Sequence, residues 1–357
     1  MLGSALAQPA FALNASAPQA RFARVVQRLA DIIRVEYQDP MVAARIADAL
    51  PAHLAAGRYN AHTPDAFAER VTADLRTLSH DQHFAVHYQK GSSTPASQQP
   101  YRREPEPPPP KTPEHPSPRG AEILAPDNYG VAAASCLSGN IGYLDIQSFP
   151  PLFNEVKVRY GAAMTLLADT WGLIIDLTKN GGGDGDSVAY LLSYLFDREP
   201  FVLCRYESRN SAPTETKTSH DLVGPRYGET RPVVIAIAKD TFSAAEEAAY
   251  DLQALKRGTI VGERSRGGAN PGDFFDLGDD FNAFVSQGRA VNPITNANWE
   301  GVGVQPDIRA SASATLLTAH RTTLEAVLRG TTIPARRQIV EDALKALPPG
   351  AGPKPGK

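Results

Sequence analysis

The sequence predicts an α/β fold, a mostly parallel sheet flanked by helices and preceded by a small helical domain. The prediction depends on two observations. After residue 128, short apolar runs rich in β-branched residues alternate with helix-like segments, as at 172–177 and 232–238, which is typical of buried parallel strands. Before residue 79, apolar residues instead recur three or four positions apart, the period of helices that bury one face.

Charge and hydropathy exclude some partner classes. The chain of 357 residues carries a formal net charge of −3, which gives no indication of a nucleic-acid or anionic-membrane partner. No apolar stretch has the length of a membrane-spanning helix, so we predict no membrane span. The two cysteines, Cys136 and Cys204, fit neither a metal cluster nor a disulfide framework. We expect two buried free thiols rather than a single bridge.

The chain divides into five predicted segments. These are a leader (1–20), a helical N-terminal domain (21–90), a Pro-rich insert (91–120), an α/β domain (121–330) and a C-terminal tail (331–357). The leader contains Ala10-Phe-Ala12, which resembles a signal-peptidase site but follows no basic stretch, so export to the periplasm or the exterior competes with a disordered leader. The insert holds ten of the thirty prolines, and we expect an exposed, polyproline-like spacer because it cannot bury enough apolar surface to fold.

Three helices are predicted in the helical domain. The first begins at Arg21, the second covers 41–56, and the third has Thr63 as its N-cap with a proline at the first helical position. The segment 79–88 then changes to strand-like alternation and contains three histidines. Their spacing comes without helical context or a further nearby ligand, so we predict no metal site and favour one histidine as a base.

The α/β domain contains the residues with the clearest chemical potential. Its predicted strands are 140–146, 172–177, 201–205, 232–238 and 259–262, and its predicted helices are 153–168, 188–196, 244–255 and 314–328. Ser243 lies where a strand ends and a helix begins, beside backbone N–H groups that have no helical partner. The alternative is a capping box formed by Ser243 and Glu246.

A glycine-rich turn follows the strand 172–177 and runs from Asn180 to Gly185. In a parallel sheet this turn and Ser243 lie at the same C-terminal edge, where ligands of α/β proteins bind. Because Gly181 and Gly182 carry no side chain, a substrate carbonyl can approach the backbone N–H groups closely. The alternative is a tight turn capped by an aspartate of the following helix.

Four motifs in order resemble peptidase family S41, which includes tail-specific proteases, the tricorn core protease and interphotoreceptor retinoid-binding repeats. They are Asp176–Gly183, Thr241–Glu246, Ile260–Glu263 and Gly303–Asp307. The segment 21–88 also resembles the N-terminal domain of the interphotoreceptor-like branch. The resemblance implies a ClpP/crotonase-like fold for the α/β core.

The resemblance also implies roles for individual residues. Ser243 becomes the nucleophile, and the backbone amides of Gly182 and Ala244, next to Gly181, become the oxyanion hole. Tail-specific proteases supply a lysine as the base, but here Gly268 occupies that place. The tricorn-like arrangement instead implies His83 as the base and Glu300 as its support, although Gln82 replaces the serine that precedes the histidine there. Otherwise Glu300 is a solvated loop carboxylate or the partner of an arginine.

We therefore predict a serine-type peptidase that acts on peptides or unfolded proteins through an acyl-enzyme, without a cofactor or metal. One alternative is a non-catalytic binder of an apolar ligand or a peptide on the same fold. A second alternative, an enzyme of the crotonase type that acts on acyl-CoA, follows from fold analogy alone.

Overall fold

The structure is a computed structural model that describes residues 17–92, 101–103 and 113–348. Its helices are α1 (Ala17–Glu36), α2 (Pro40–Ala55), α3 (Pro64–Ser79), α4 (Pro118–Leu124), α5 (Asn154–Leu166), α6 (Gly185–Ser193), α7 (Ala244–Ala254), α8 (Thr315–Gly330) and α9 (Pro334–Ala346). Its strands are β1 (Ala85–Tyr88), β2 (Val131–Leu137), β3 (Ile141–Ile146), β4 (Gly172–Asp176), β5 (Val202–Ser208), β6 (Thr214–Lys217), β7 (Val233–Ile237), β8 (Thr259–Gly262), β9 (Gly272–Gly278), β10 (Phe281–Ser286), β11 (Gly288–Val291) and β12 (Ile308–Arg309).

The chain forms two compact units. Unit 1 comprises Met1–Pro105 and Gly272–Gln287, and unit 2 comprises Glu106–Pro271 and Gly288–Lys357. The segment 272–287 therefore belongs with the N-terminal helices, whereas the sequence placed it in the α/β domain. The reason is strand pairing, because β10 of this segment lies between β1 and β9 in one antiparallel sheet.

Unit 1 packs α1, α2 and α3 around one apolar cluster. The prediction of three helices in this region is confirmed, and the third begins as expected, with the Thr63 side chain accepting from the Ala66 N–H. The fully buried side chains of Leu29, Ile33 and Phe281 lie in the cluster, which also takes residues from β9 and β10. The short sheet thus covers the apolar face of the helices.

Unit 2 contains the predicted mostly parallel sheet, in the order β12-β8-β7-β4-β3-β2. Every pair is parallel except β2 with β3. All residues of β4 and β7 are buried because both faces of the sheet are covered. Residues such as Ile175 and Ile235 face the main apolar cluster, while their neighbours Ile174 and Val234 face a second cluster formed with α8 and α9.

Several features of unit 2 differ from the sequence prediction. The antiparallel strand β2 was not predicted, α9 occupies part of the predicted tail, and α4 begins inside the predicted insert. Cys204 is buried on β5, but Cys136 on β2 is exposed, so the prediction of two buried thiols was wrong for one of them; both are free. The insert residues 93–100 and 104–112, the leader up to residue 16 and the last residues from 349 lie outside the described residues.

None of the helices in the described ranges combines the length and apolar character that crossing a bilayer requires.

Candidate active site

Ser243 has an unusual backbone conformation at the start of α7. Its φ is 56° and its ψ is −124°, a combination that residues other than glycine rarely adopt. The N-cap residues Asp39, Thr63 and Asp184 are all extended instead, as helix caps ordinarily are. A conformation of this kind costs about 1–3 kcal/mol and persists only where its surroundings enforce it.

The carboxylate of Glu246 enforces the position of the Ser243 loop. Its Oε2 accepts from the Ser243 N–H at 2.9 Å and from the Gly268 N–H at 2.8 Å. Its Oε1 accepts from the Gly267 N–H at 2.6 Å and from the Ser265 hydroxyl. Burial raises the pKa of Glu246, and the four hydrogen bonds act in the opposite direction by stabilising the charged form. Ser243 and Glu246 therefore form the capping box that the alternative interpretation predicted, and Glu246 also binds the segment 265–268.

The glycine turn after β4 lies directly against this loop. A Cβ placed on Gly182 would lie 2.7 Å from the Cβ of Ser243 and 3.1 Å from the nitrogen of Ala244. The φ of Gly182 is 106°, which also favours glycine. A Cβ on Gly181 would meet no heavy atom within 4 Å, so this residue faces open space. The structure thus brings Gly182, Ser243 and Ala244 together.

Asn180 connects the turn to both neighbouring segments. Its side-chain oxygen accepts from the Gly182 N–H at 2.8 Å, and its side-chain N–H₂ donates to the Ile146 carbonyl at 3.0 Å. Its own carbonyl accepts from the Phe242 N–H at 3.1 Å. The Gly182 amide is therefore already engaged. The Ala244 amide belongs to the first residue of α7, where N–H groups have no acceptor within the helix.

Glu300 is fixed by backbone amides of unit 2. Its Oε2 accepts from the Ala269 N–H at 2.6 Å and from the Asn270 N–H at 3.1 Å. The neighbouring Trp299 is buried and donates from Nε1 to the Gly268 carbonyl at 2.7 Å. The two amides hold the carboxylate of the half-buried Glu300 in one orientation.

Gly268 lies at the position where tail-specific proteases carry their lysine, and its backbone makes two hydrogen bonds. Its N–H is bound to Glu246, and its carbonyl is bound to Trp299. Two lysines lie near Ser243 in sequence. Lys239 is exposed in the turn after β7, and Lys256 is exposed beyond the far end of α7.

His83 lies in unit 1, between α3 and β1. The backbone N–H of His83 donates to Oδ1 of Asp81 at 2.8 Å, and the ring Nδ1 of His83 lies 3.7 Å from the same oxygen. Its ring stacks on Phe284 with centroids 5.6 Å apart. Asp81 is buried and accepts from the Tyr37 hydroxyl at 3.3 Å. Because His83 and Ser243 belong to different units, their meeting in one site stays a prediction.

The sequence analysis did not identify Asp81 as the hydrogen-bond partner of His83. The available signal was an aspartate two residues before the histidine in a turn, where its carboxylate can accept the histidine N–H.

It also missed two buried acids on the inner side of α7. The Glu247 carboxylate accepts from the Tyr206 hydroxyl at 2.7 Å, and the Asp251 carboxylate accepts from the Asn292 side chain at 2.8 Å. Burial raises the pKa of Glu247 to about 7 and raises that of Asp251 well above its ordinary range. The signal was a pair of acids one helical turn apart within an Ala-rich helix.

Comparisons with known proteins cover most of the chain. The family model described as Peptidase family S41 matches residues 140–310. A second model, described as the N-terminal domain of Peptidase_S41 in eukaryotic IRBP, matches residues 10–124. The first match contains Ser243 and Glu300, and the second contains His83.

A similar curated protein is the chloroplastic C-terminal processing peptidase of Tetradesmus obliquus. It is 30% identical over 138 residues, which are 39% of this chain and 28% of that protein. The match therefore spans less than a third of the relative's own length.

Two solved structures show the same fold. Mature CPAF aligns with a TM-score of 0.54 and 13% identity, over 92% of this chain and 99% of that chain. A lipoprotein from Streptococcus agalactiae aligns with a TM-score of 0.53 and 14% identity, over 91% of this chain and 100% of that chain.

Proposed function

The chain belongs to peptidase family S41, and we propose that it hydrolyses peptide bonds as a serine-type peptidase through an acyl-enzyme. The observation that carries the proposal is the conformation of Ser243. A strained serine at a helix start, held by a buried carboxylate and pressed against a glycine turn, is the arrangement expected of a preorganised nucleophile.

In the proposed mechanism the Ser243 hydroxyl attacks the scissile carbonyl while His83 accepts its proton. The imidazolium then returns the proton to the leaving amine, and a water repeats the cycle on the acyl-enzyme. An imidazole suits this role because its ordinary pKa lies near neutrality. Asp81 supports the assignment from within unit 1, since it fixes the backbone of His83 and lies near Nδ1.

The oxyanion that develops on the carbonyl is proposed to accept from backbone amides. Ala244 is the stronger donor, since its N–H belongs to the first residue of α7, at the positive end of the helix dipole. The Gly182 N–H is engaged by Asn180, so it contributes only if the oxyanion shares or replaces that bond. Gly181 borders the open side of the turn.

Glu300 completes the proposed set as the residue that supports His83. Its carboxylate is already oriented by two backbone amides, which reduces the reorganisation that catalysis requires. The proposed substrates are peptides or unfolded proteins, and the ClpP/crotonase-like description of the core remains a prediction from the resemblance.

The proposal is tested by labelling the full chain with a fluorophosphonate probe. We expect labelling on Ser243 that is abolished by Ser243→Ala and strongly reduced by His83→Ala. His87→Ala is the matched control, because His87 lies in the same segment with an exposed side chain, and it should retain labelling. Absence of labelling in the native chain, with saturable quenching of Trp299 fluorescence by an apolar ligand, would favour the non-catalytic binder instead.

The proposed place of action is the periplasm or the exterior of the cell, on the basis of the leader sequence. Fractionation of cells that express the chain with and without residues 1–20 tests this. Equal retention of both forms in the cytoplasm would contradict it.

A further inference from the structure

We propose that Arg266 forms a carboxylate-binding subsite beside Ser243, so that the enzyme favours peptides with an anionic group next to the scissile bond. The inference rests on the proposed peptidase function and names the substrate class of that site.

Arg266 is held close to the nucleophile by its own backbone and by its neighbours. Its N–H donates to the Thr241 carbonyl at 3.1 Å, two residues before Ser243. Ser265 and Gly267, on either side of it, both donate to the Glu246 carboxylate that also binds the Ser243 N–H. The Cα of Arg266 is therefore held against the loop that carries Ser243.

The guanidinium is also positioned. Its central carbon lies 4.5 Å from the ring centroid of Phe242, the residue directly before Ser243. A cation over an aromatic face at this distance is attracted by the ring. A guanidinium that lies over a ring face in this way keeps N–H groups at its edge that a ligand can reach.

Arg266 differs from the arginines of unit 2 whose guanidinium groups bind backbone carbonyls. Arg226 donates to the Ser193 and Phe196 carbonyls, and Arg257 donates to the carbonyls of Leu195 and Gly228. The exposed Arg266 side chain makes no ion pair and no hydrogen bond with any residue in the described ranges. Its donors therefore remain available to a ligand next to the reacting bond.

A carboxylate is the group of a peptide that best matches the N–H groups of a guanidinium. Two parallel N–H groups of a guanidinium bind the two oxygens of a carboxylate. In a peptide the carboxylate belongs either to an aspartate or glutamate side chain or to the chain terminus. An extended peptide advances about 3.3 Å per residue, so a guanidinium beside Phe242 reaches groups within one or two residues of the scissile bond.

The experiment compares fluorogenic peptides that differ only by Asp or Asn at single positions flanking the cleaved bond. At one position we expect the native chain to cleave the Asp peptide about fivefold faster in kcat/KM, the effect of one exposed ion pair. Arg266→Gln should bring the Asp/Asn ratio to about one. Arg266→Glu should favour a Lys peptide instead, and this second variant keeps the test valid if the first folds poorly.

Arg264→Gln is the matched control, because Arg264 is an exposed arginine of the same loop and has no aromatic partner among the described residues. It should retain the preference for Asp. A second pair of peptides, with a free or an amidated C-terminus, distinguishes the source of the carboxylate, and a preference in either pair that depends on Arg266 supports the subsite.

The outcomes separate the two proposals. A chain that is neither labelled by the fluorophosphonate nor able to cleave any peptide contradicts the peptidase function itself. A chain that cleaves peptides but treats both members of each pair alike overturns the subsite and leaves the peptidase intact. Equal loss of preference in the Arg264 and Arg266 variants also overturns the subsite, because the effect would then be one of net charge.

Discussion

Replacing Gly182 by alanine should inactivate Ser243 without unfolding the protein. The added Cβ would lie 2.7 Å from the Ser243 Cβ and 2.9 Å from the Phe242 carbonyl oxygen, whereas carbon atoms in contact are ordinarily about 3.5–4.0 Å apart. The Ser243 loop must therefore move by about 1 Å. A displacement of that size costs about a hundredfold in the rate of a positioned group.

The same substitution should lower the free energy of unfolding by too little to unfold the protein. An L-residue at φ 106° carries about 1–3 kcal/mol of strain, against a typical free energy of unfolding of about 5–15 kcal/mol. Gly330→Ala, at the end of α8 and outside the proposed site, is the matched control, because a Cβ there meets nothing within 4 Å and its φ is not positive.

Two measurements on each variant test this reasoning. The second-order rate of fluorophosphonate labelling reports the geometry of Ser243, and the urea midpoint reports stability. We expect the Gly182 variant to lose about two orders of magnitude in labelling, while the Gly330 variant labels like the native chain. Equal labelling of both variants would refute the contact between the glycine turn and Ser243.

Three further predictions follow from buried groups. Glu246→Gln should destabilise the chain by about 2–6 kcal/mol. The N–H₂ group of the new glutamine would face two of the four donors that Glu246 accepts from, and each unpaired buried donor costs about 1–3 kcal/mol. The control Glu325→Gln, at an exposed position, should not shift the urea midpoint. The pKa of Glu247 is about 7 in the folded chain and lies above its unfolded value, so its contribution to stability is complete below about pH 4.5 and is lost as the pH rises through 7. Glu247→Gln should therefore flatten the dependence of the urea midpoint on pH over that range. An unchanged slope of urea midpoint against pH would contradict the assignment. One thiol should react with a chromogenic disulfide in the native chain and two in denaturant, because Cys136 is exposed while burial raises the pKa of Cys204; reaction of both thiols without denaturant would contradict this.

The parts of the fold that depend on local pattern were predictable. The apolar stripe of α1, the Thr63 cap of α3 and the continuous apolar runs of β4 and β7 each reflect a rule that acts within a few residues. The mostly parallel sheet followed from the alternation of such strands with helices.

Features that depend on distant pairing were not predictable. β1 pairs with β10, about two hundred residues later in the chain, and no local signal marks that partnership. The exposure of Cys136 was not predictable either, because Cys136 lies on the antiparallel edge strand β2, which the sequence analysis did not predict. At the site, the motif around Ser243 predicted that Glu246 reaches back, but the three donors from 265–268 come from a segment without its own signature.

The contacts of Glu246 bear on both interpretations of Ser243, as a helix cap and as the proposed nucleophile. A helix cap requires only that a side-chain oxygen meets a nearby amide, and Asp39 and Thr63 achieve this with relaxed, extended backbones. Ser243 instead adopts a costly conformation that a cap does not need. The surrounding structure sustains it by burying a carboxylate and ordering a second loop around it, and Gly182 approaches closely enough to exclude any side chain. The capping box of Ser243 and Glu246 does not require this strain. Strain that is enforced from two sides beyond what a cap needs is expected of a residue positioned for reaction, which is why disrupting Gly182 should change reactivity more than stability.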